Sequence, residues 1–235
     1  MNPTRLVALF IAAATATLAA QVPVNQEPRH KVTFENSQLR IYNVNVPPGD
    51  TSLDHRHDFD IATVAMSTGA NTRQQVSGQP WGEPRAPRSI GDPNVTEYAG
   101  KPQSHRIENI GKTAYQLFAV ENLRKSGWTA TKPAMGLATK MTSESRAFRV
   151  YDVRLEPKGI SQTSHLHAVP TIAILVSGTV MSDGPDAQAK TLAPAPVGLK
   201  QLTQPGQWIL VPAGDTHHVV RLGTGDARVV EIEIR

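Results

Sequence analysis

The chain has 235 residues, with 18 prolines, 17 glycines and only 19% charged side chains, a mixture that suits short strands joined by many turns and argues against a helical bundle. Its formal charge of +4 is spread along the sequence, with no basic stripe interleaved with aromatics, so no nucleic-acid partner is expected. There is no cysteine, which excludes disulfides and a lipidated cysteine anchor.

Taken in chain order, residues 1–20 ("MNPTRLVALFIAAATATLAA") have a short basic head with Arg5, an apolar run from Leu6 and small residues up to Ala20. This is the layout of a secretory signal peptide cleaved after Ala19 or Ala20. The run is short for a spanning helix, so a periplasmic or secreted protein is expected, with no membrane association after cleavage. A polar leader, "QVPVNQEPRHK", follows.

The next element repeats. "QLRIYNVNVPPG" (38–49) matches "AFRVYDVRLEPKG" (147–159): Leu39, Arg40, Ile41, Tyr42 and Val44 stand at a constant offset from Phe148, Arg149, Val150, Tyr151 and Val153. Their β-branched and aromatic content predicts strands. "IATVAMSTG" and "IAILVSG" are apolar runs ending in glycine, as a buried strand entering a hairpin turn would be. "SHRIENIGKTAYQLFAVE" then matches "THHVVRLGTGDARVVEIE". The chain therefore reads as a tandem duplication of an all-β unit, 29–123 and 143–235, joined by a polar linker, 124–142.

Six of the eight histidines obey the duplication. His55 and His57 follow Gly49 at the same distances as His165 and His167 follow Gly159, and each half has a later histidine, His105 and His217. Alternate residues of a strand share a face, so each His-x-His pair can present two imidazoles to one metal ion. Three imidazoles on one side of an ion leave positions open for water, oxygen or substrate. His30 and His218 fall outside the pattern and are read as having no part in a site, with His218 facing away from His217.

Gly49-x5-His55-x-His57, its copy at Gly159, and "GQWILVPAGDTH" with Gly206, Pro212, Gly214 and His217 resemble the two motifs of the cupins. The second motif is complete in the second half. In the first half it keeps His105 and Asn109, with Gly100 and Pro102 out of place. The resemblance implies two tandem cupin barrels, each a double-stranded β-helix or jelly roll. It also implies a divalent transition metal on His165, His167 and His217, the preferred site, and a second ion on His55, His57 and His105. Iron(II) ranks ahead of copper, manganese, nickel and zinc. The family's motif glutamate is missing: Ala62 and Thr171 stand at its positions, and the nearby Asp60 is expected to face solvent.

Two further repeated features read as structural. Arg40 with Glu121 and Arg149 with Glu231 are expected to form salt bridges, and Trp81 and Trp208 to be core aromatics. The function implied is a three-histidine oxidoreductase of dioxygenase type acting on a small organic molecule. A non-catalytic metabolite- or metal-binding module and a zinc-type hydrolase or isomerase are the alternatives, and no catalytic acid or base is assigned. Association of barrels through their sheets into a homo-oligomer is left open.

Overall fold

A computed structural model describes residues 21–136, 138–184, 198–214 and 216–235. The export signal read at residues 1–20 lies outside them. Among the described residues no helix is long and apolar enough to cross a membrane.

Strands in the first half are β1 (Val22–Pro23), β2 (His30–Glu35), β3 (Leu39–Val46), β4 (His55–His57), β5 (Asp60–Ala65), β6 (Thr72–Val76), β7 (Pro93–Thr96), β8 (Gln103–Asn109) and β9 (Tyr115–Asn122). In the second half they are β10 (Thr139–Glu144), β11 (Phe148–Leu155), β12 (Gln162–Leu166), β13 (Thr171–Ser177), β14 (Val180–Gly184), β15 (Gly198–Leu202), β16 (Trp208–Val211), β17 (Thr216–Arg221) and β18 (Ala227–Ile234). Strand β10 begins inside the segment read as linker.

Each half pairs a four-stranded with a five-stranded sheet. The larger sheets run β2-β3-β9-β5-β7 and β10-β11-β18-β13-β16, and the smaller β1-β4-β8-β6 and β12-β17-β14-β15. Matching strands occupy matching places, and even a bulge recurs, at Val32/Phe34 in β2 and Met141/Ser143 in β10. The glycine closing each apolar run, Gly69 or Gly178, has a positive φ of 78° or 77°. At Gly178 a Cβ would collide with the backbone of Asp226 and Ala227, so the hairpin requires glycine there.

The alternation within the larger sheets sends side chains two ways. One face of each fills its own barrel: Val153, Leu155, Leu175, Ile209 and Val229 in the second half, and Tyr42, Val44, Val46 and Ile61 in the first. The other faces pack on each other. Leu39, Ile41, Val64 and Phe118 of the first half share one core with Phe148, Ile172, Ile174 and Ile232 of the second. Trp208 sits in this seam, 5.5 Å from Phe34 and 6.3 Å from Phe118 between ring centroids. Trp81 behaves differently from the core residue expected: it lies half-buried at the surface under the guanidinium groups of Arg73 and Arg106.

Asp60 also differs. It is fully buried, accepting two hydrogen bonds from Arg146 at 2.9 and 3.1 Å and one from the Ala99 amide at 2.7 Å. The expectation of a solvent-facing side chain fails because its partner comes from the other half, a contact that no local pattern encodes.

Candidate metal centres

In the first barrel, β4 alternates: His55 and His57 are buried and Arg56 between them is exposed. The ladder places His105 of β8 directly opposite His55. The three ring centroids lie 4.7–5.0 Å apart, and one nitrogen from each ring falls within 4.8 Å of the others.

The tautomer of His55 is fixed by its neighbours. Nδ1 lies 2.8 Å from the Leu53 carbonyl, which can only accept, so Nδ1 carries the proton and Nε2 the lone pair. That Nε2 is buried with no hydrogen-bond partner, as are Nδ1 of His57 and Nδ1 of His105. Unpartnered buried nitrogens are costly, and one on each of three clustered rings fits a cation. Burial pushes His55 down to about 4, with His30 adding to the effect, and His105 to about 3, with His55 adding. Burial, then His105, holds His57 well below the ordinary range. All three are neutral imidazoles near pH 7, the form a metal requires.

His30 belongs to this centre, contrary to the sequence reading. Its ring lies 4.5 Å from that of His55, and its Nδ1 is 2.6 Å from Glu27 Oε2. Glu27 Oε1 in turn accepts from the Leu53 amide at 3.1 Å. A chain from His30 through Glu27 and Leu53 therefore sets the orientation of His55. No spacing in the sequence signals it, because β2 and the segment before β4 meet only in three dimensions. The displaced second motif of this half has a consequence here: its loop carries Tyr98, whose ring stacks on His57 at 4.7 Å and 16°.

The site opens onto a cavity of about 600 Å³. Val46, Ile61 and Ala119 form apolar wall, and Thr63, Asn94 and Thr96 add polar groups. Arg85 and Arg88 also line it. Arg85 donates to Gln74 Oε1 at 2.6 Å, and Arg88 to Thr63 Oγ1 at 3.2 Å and to the Asp92 carbonyl. Among the described residues neither guanidinium has a carboxylate within ion-pair distance.

The second barrel repeats the ladder, with His165 of β12 opposite His217 of β17. What surrounds them differs. Glu231 of β18 lies among three imidazoles, its Oε2 2.7 Å from His165 Nε2 and 3.1 Å from His167 Nε2, and its Oε1 3.1 Å from His217 Nε2. The compact group of donor atoms is His165, His217 and Glu231, and His167 stands beside it. The other nitrogen of His167 is 3.0 Å from Glu233 Oε1, and Glu233 Oε2 accepts from Tyr151 Oη at 3.0 Å. Burial works against charge in this network, but the hydrogen bonds outweigh it: Glu231 is held well below the usual carboxylate range and His167 is raised.

One expected pair is corrected here. Arg40 meets Glu121 at 2.8 Å, but Arg149 does not meet Glu231. The ladder sets Arg149 opposite Glu233 and Tyr151 opposite Glu231, and Arg149 bonds to Glu144 at 2.8 Å and lies 3.5 Å from Glu233. The structural counterpart of Glu121 is Glu233, two residues beyond the sequence match. His218 faces outward, as its place beside His217 predicts.

No protein-family model matches the chain, and no curated protein matches its sequence. Solved structures do resemble it. AerE from Microcystis aeruginosa superposes with a TM-score of 0.55 at 12% identity, covering 89% of this chain and 98% of that one. An oxalate decarboxylase–formate complex from Lactobacillus farciminis gives 0.59 at 10% identity, over 85% and 78%. A cupin 2 conserved barrel domain protein from Leptotrichia buccalis gives 0.50 at 9%, over 87% of each. With the strand orders above, these likenesses identify the fold: the chain is an all-β protein of two tandem cupin barrels.

Proposed function

We propose that this protein is a metal-dependent oxidoreductase of dioxygenase type, acting on a small organic carboxylate in its N-terminal barrel. The observation that carries the reading is the meeting of three neutral imidazoles, each with one buried nitrogen lacking a hydrogen-bond partner, with an open cavity. Motif completeness favours the second half, but open positions beside the donors are what catalysis needs, and those lie in the first.

His55, His57 and His105 would hold the ion, iron(II) ahead of copper, manganese, nickel or zinc. A redox-active divalent ion supplies electron transfer and Lewis acidity when bound there. The chain's own groups do the rest. Leu53, Glu27 and His30 fix the His55 ring, and apolar walls exclude water. Arg85 and Arg88 attract and orient an anion, since a guanidinium matches a carboxylate in two hydrogen bonds. Tyr98, whose pKa burial raises, stays a phenol beside His57 and is a ready hydrogen-bond donor.

The test is metal analysis and oxygen uptake on untagged protein with a panel of small carboxylates, alongside His57→Ala. Metal-dependent oxygen uptake by the wild type, absent from the variant, is expected. A metal-loaded protein that binds carboxylates anaerobically without consuming oxygen would overturn the oxidoreductase reading and leave a binding module. We also propose export to the periplasm or medium, tested by N-terminal sequencing of the mature protein, which is expected to begin at Ala20 or Gln21.

A further inference from the structure

We propose that Arg228, on the last strand of the C-terminal barrel, is a positioning residue for the N-terminal cavity. It clamps the turn at Ile90 and Gly91 from the other half and thereby holds Arg88 in the cavity wall, a role that rests on reading that cavity as a carboxylate site.

The wall concerned is the segment between β6 and β7. Its first part lies along β6, with the Gly82 amide donating to the Gln74 carbonyl at 2.8 Å and the Arg85 amide to the Thr72 carbonyl at 2.7 Å. The chain then crosses to the larger sheet, where the Gly91 amide donates to the Ala65 carbonyl at 2.7 Å and the Asp92 carbonyl accepts from the Ala65 amide at 3.0 Å. Between these attachments stand Arg85 and Arg88, both lining the cavity. Arg88 donates to Thr63 Oγ1 and to the Asp92 carbonyl, so where the turn puts Asp92 sets where this guanidinium sits.

The turn has a second, outer side. Among the described residues, the side chain that donates to its Ile90 and Gly91 carbonyls is Arg228, through Nη1 at 2.6 Å and Nη2 at 3.2 Å. The remaining guanidinium nitrogen, Nε, donates to Asp152 Oδ1 at 2.7 Å, and Asp152 Oδ2 accepts from Arg154 Nε at 2.8 Å. Asp152 is buried and the Arg228 side chain is 18% exposed, so a shielded carboxylate aims the fork at two successive carbonyls. The approach is close: a Cβ at Gly91 would strike the Arg228 guanidinium and Val176.

Duplication alone does not account for these charges. Arg228 faces Arg154 across its ladder as Gln116 faces Asn45 in the first half, and Asn43 stands where Asp152 does. Three uncharged residues thus correspond to the charged trio, which occurs in the half that meets the turn. Arg228 shares a strand face with Val230 and Ile232 of the seam, so its side chain leaves the C-terminal barrel toward the other half. It lies outside the cavity lining and acts through the backbone of the turn.

The experiment is a double-mutant cycle on the full, metal-loaded chain, read as anaerobic calorimetric binding of acetate, benzoate and succinate. Arg228→Met keeps the length of the stem and removes the donors. It should weaken binding of the best acid about fivefold in the wild-type background and leave it unchanged in an Arg88→Ala background. A lower urea midpoint would accompany a merely structural role as well, whereas that dependence on Arg88 would not. Hydrogen exchange at the amides of Ser89, Gly91 and Asp92 should quicken in the same variant. Should Arg228→Met fail to fold, Asp152→Asn, which loosens the aim of the guanidinium, should give both effects in smaller measure. Equal losses of affinity in the two backgrounds, or unchanged exchange in the turn, overturn the proposal. Oxygen plays no part in either readout, so the oxidoreductase reading can fail while the clamp stands. A wild type that binds none of the acids would remove the carboxylate reading, and exchange in the turn would then decide the clamp.

Discussion

The two barrels share a ladder and differ in what fills them. Tyr42 faces Ala119 across β3 and β9, and Tyr151 faces Glu231 across β11 and β18. One barrel thus has a methyl group where the other has a carboxylate, and Ala119 lines the cavity while Glu231 occupies the middle of the histidines. The partner position changes in step, Thr63 against Ala173. In the filled barrel His167 bonds to Glu233, whereas in the open barrel the corresponding atoms, Nδ1 of His57 and Oε1 of Glu121, are both unpartnered. Duplication preserved the backbone and the histidine pairing. A few inward-facing residues then decided whether a barrel became a chamber or a solid core.

That contrast can be broken at several points. The largest effect is expected from Ala119→Glu, which puts the second barrel's carboxylate into the first. Substrate-dependent oxygen uptake should disappear while metal content is kept, as read by elemental analysis beside an oxygen electrode. Glu231→Ala, the converse change, leaves a cluster of buried histidines without their acceptor and should cost roughly 3–5 kcal/mol in urea unfolding. Ile209→Ala in the packed barrel should cost about 2–5 kcal/mol by the same measurement. Asn94→Ile, at the matching position of the open barrel, should not destabilise and should instead weaken substrate binding. Smallest of all, Arg85→Ala should raise KM for a carboxylate substrate by roughly tenfold, the loss of one charge-assisted contact, with kcat nearly unchanged. As an exposed loop residue, it should change stability by no more than about 0.5 kcal/mol.

Much of this arrangement is legible in the sequence, and the exceptions have a common cause. The strands, the duplication and the grouping of His55 and His57 with His105, and of His165 and His167 with His217, follow from spacings that recur in both halves, while the ladder sets which histidines stand opposite one another. Glu231 is visible only as a match to Glu121, and that match is displaced by two residues once the strands pair, since the ladder and not the alignment sets which residue faces Arg149. Glu27, His30, Tyr98 and Asp60 act through partners on other strands or in the other half. A pattern of side-chain character along one strand says which face is buried, and nothing about which distant group it meets there.

The seam between the two larger sheets has a further bearing on how such a chain can change. Leu39, Ile41 and Phe118 on one side and Phe148, Ile172 and Ile232 on the other would each become a wet apolar surface if the halves were separated. The inheritable unit is therefore the pair. Within it the solid barrel acts as a foundation, leaving the hollow one free to vary its lining, and with it the molecules it admits, without either half having to stand alone.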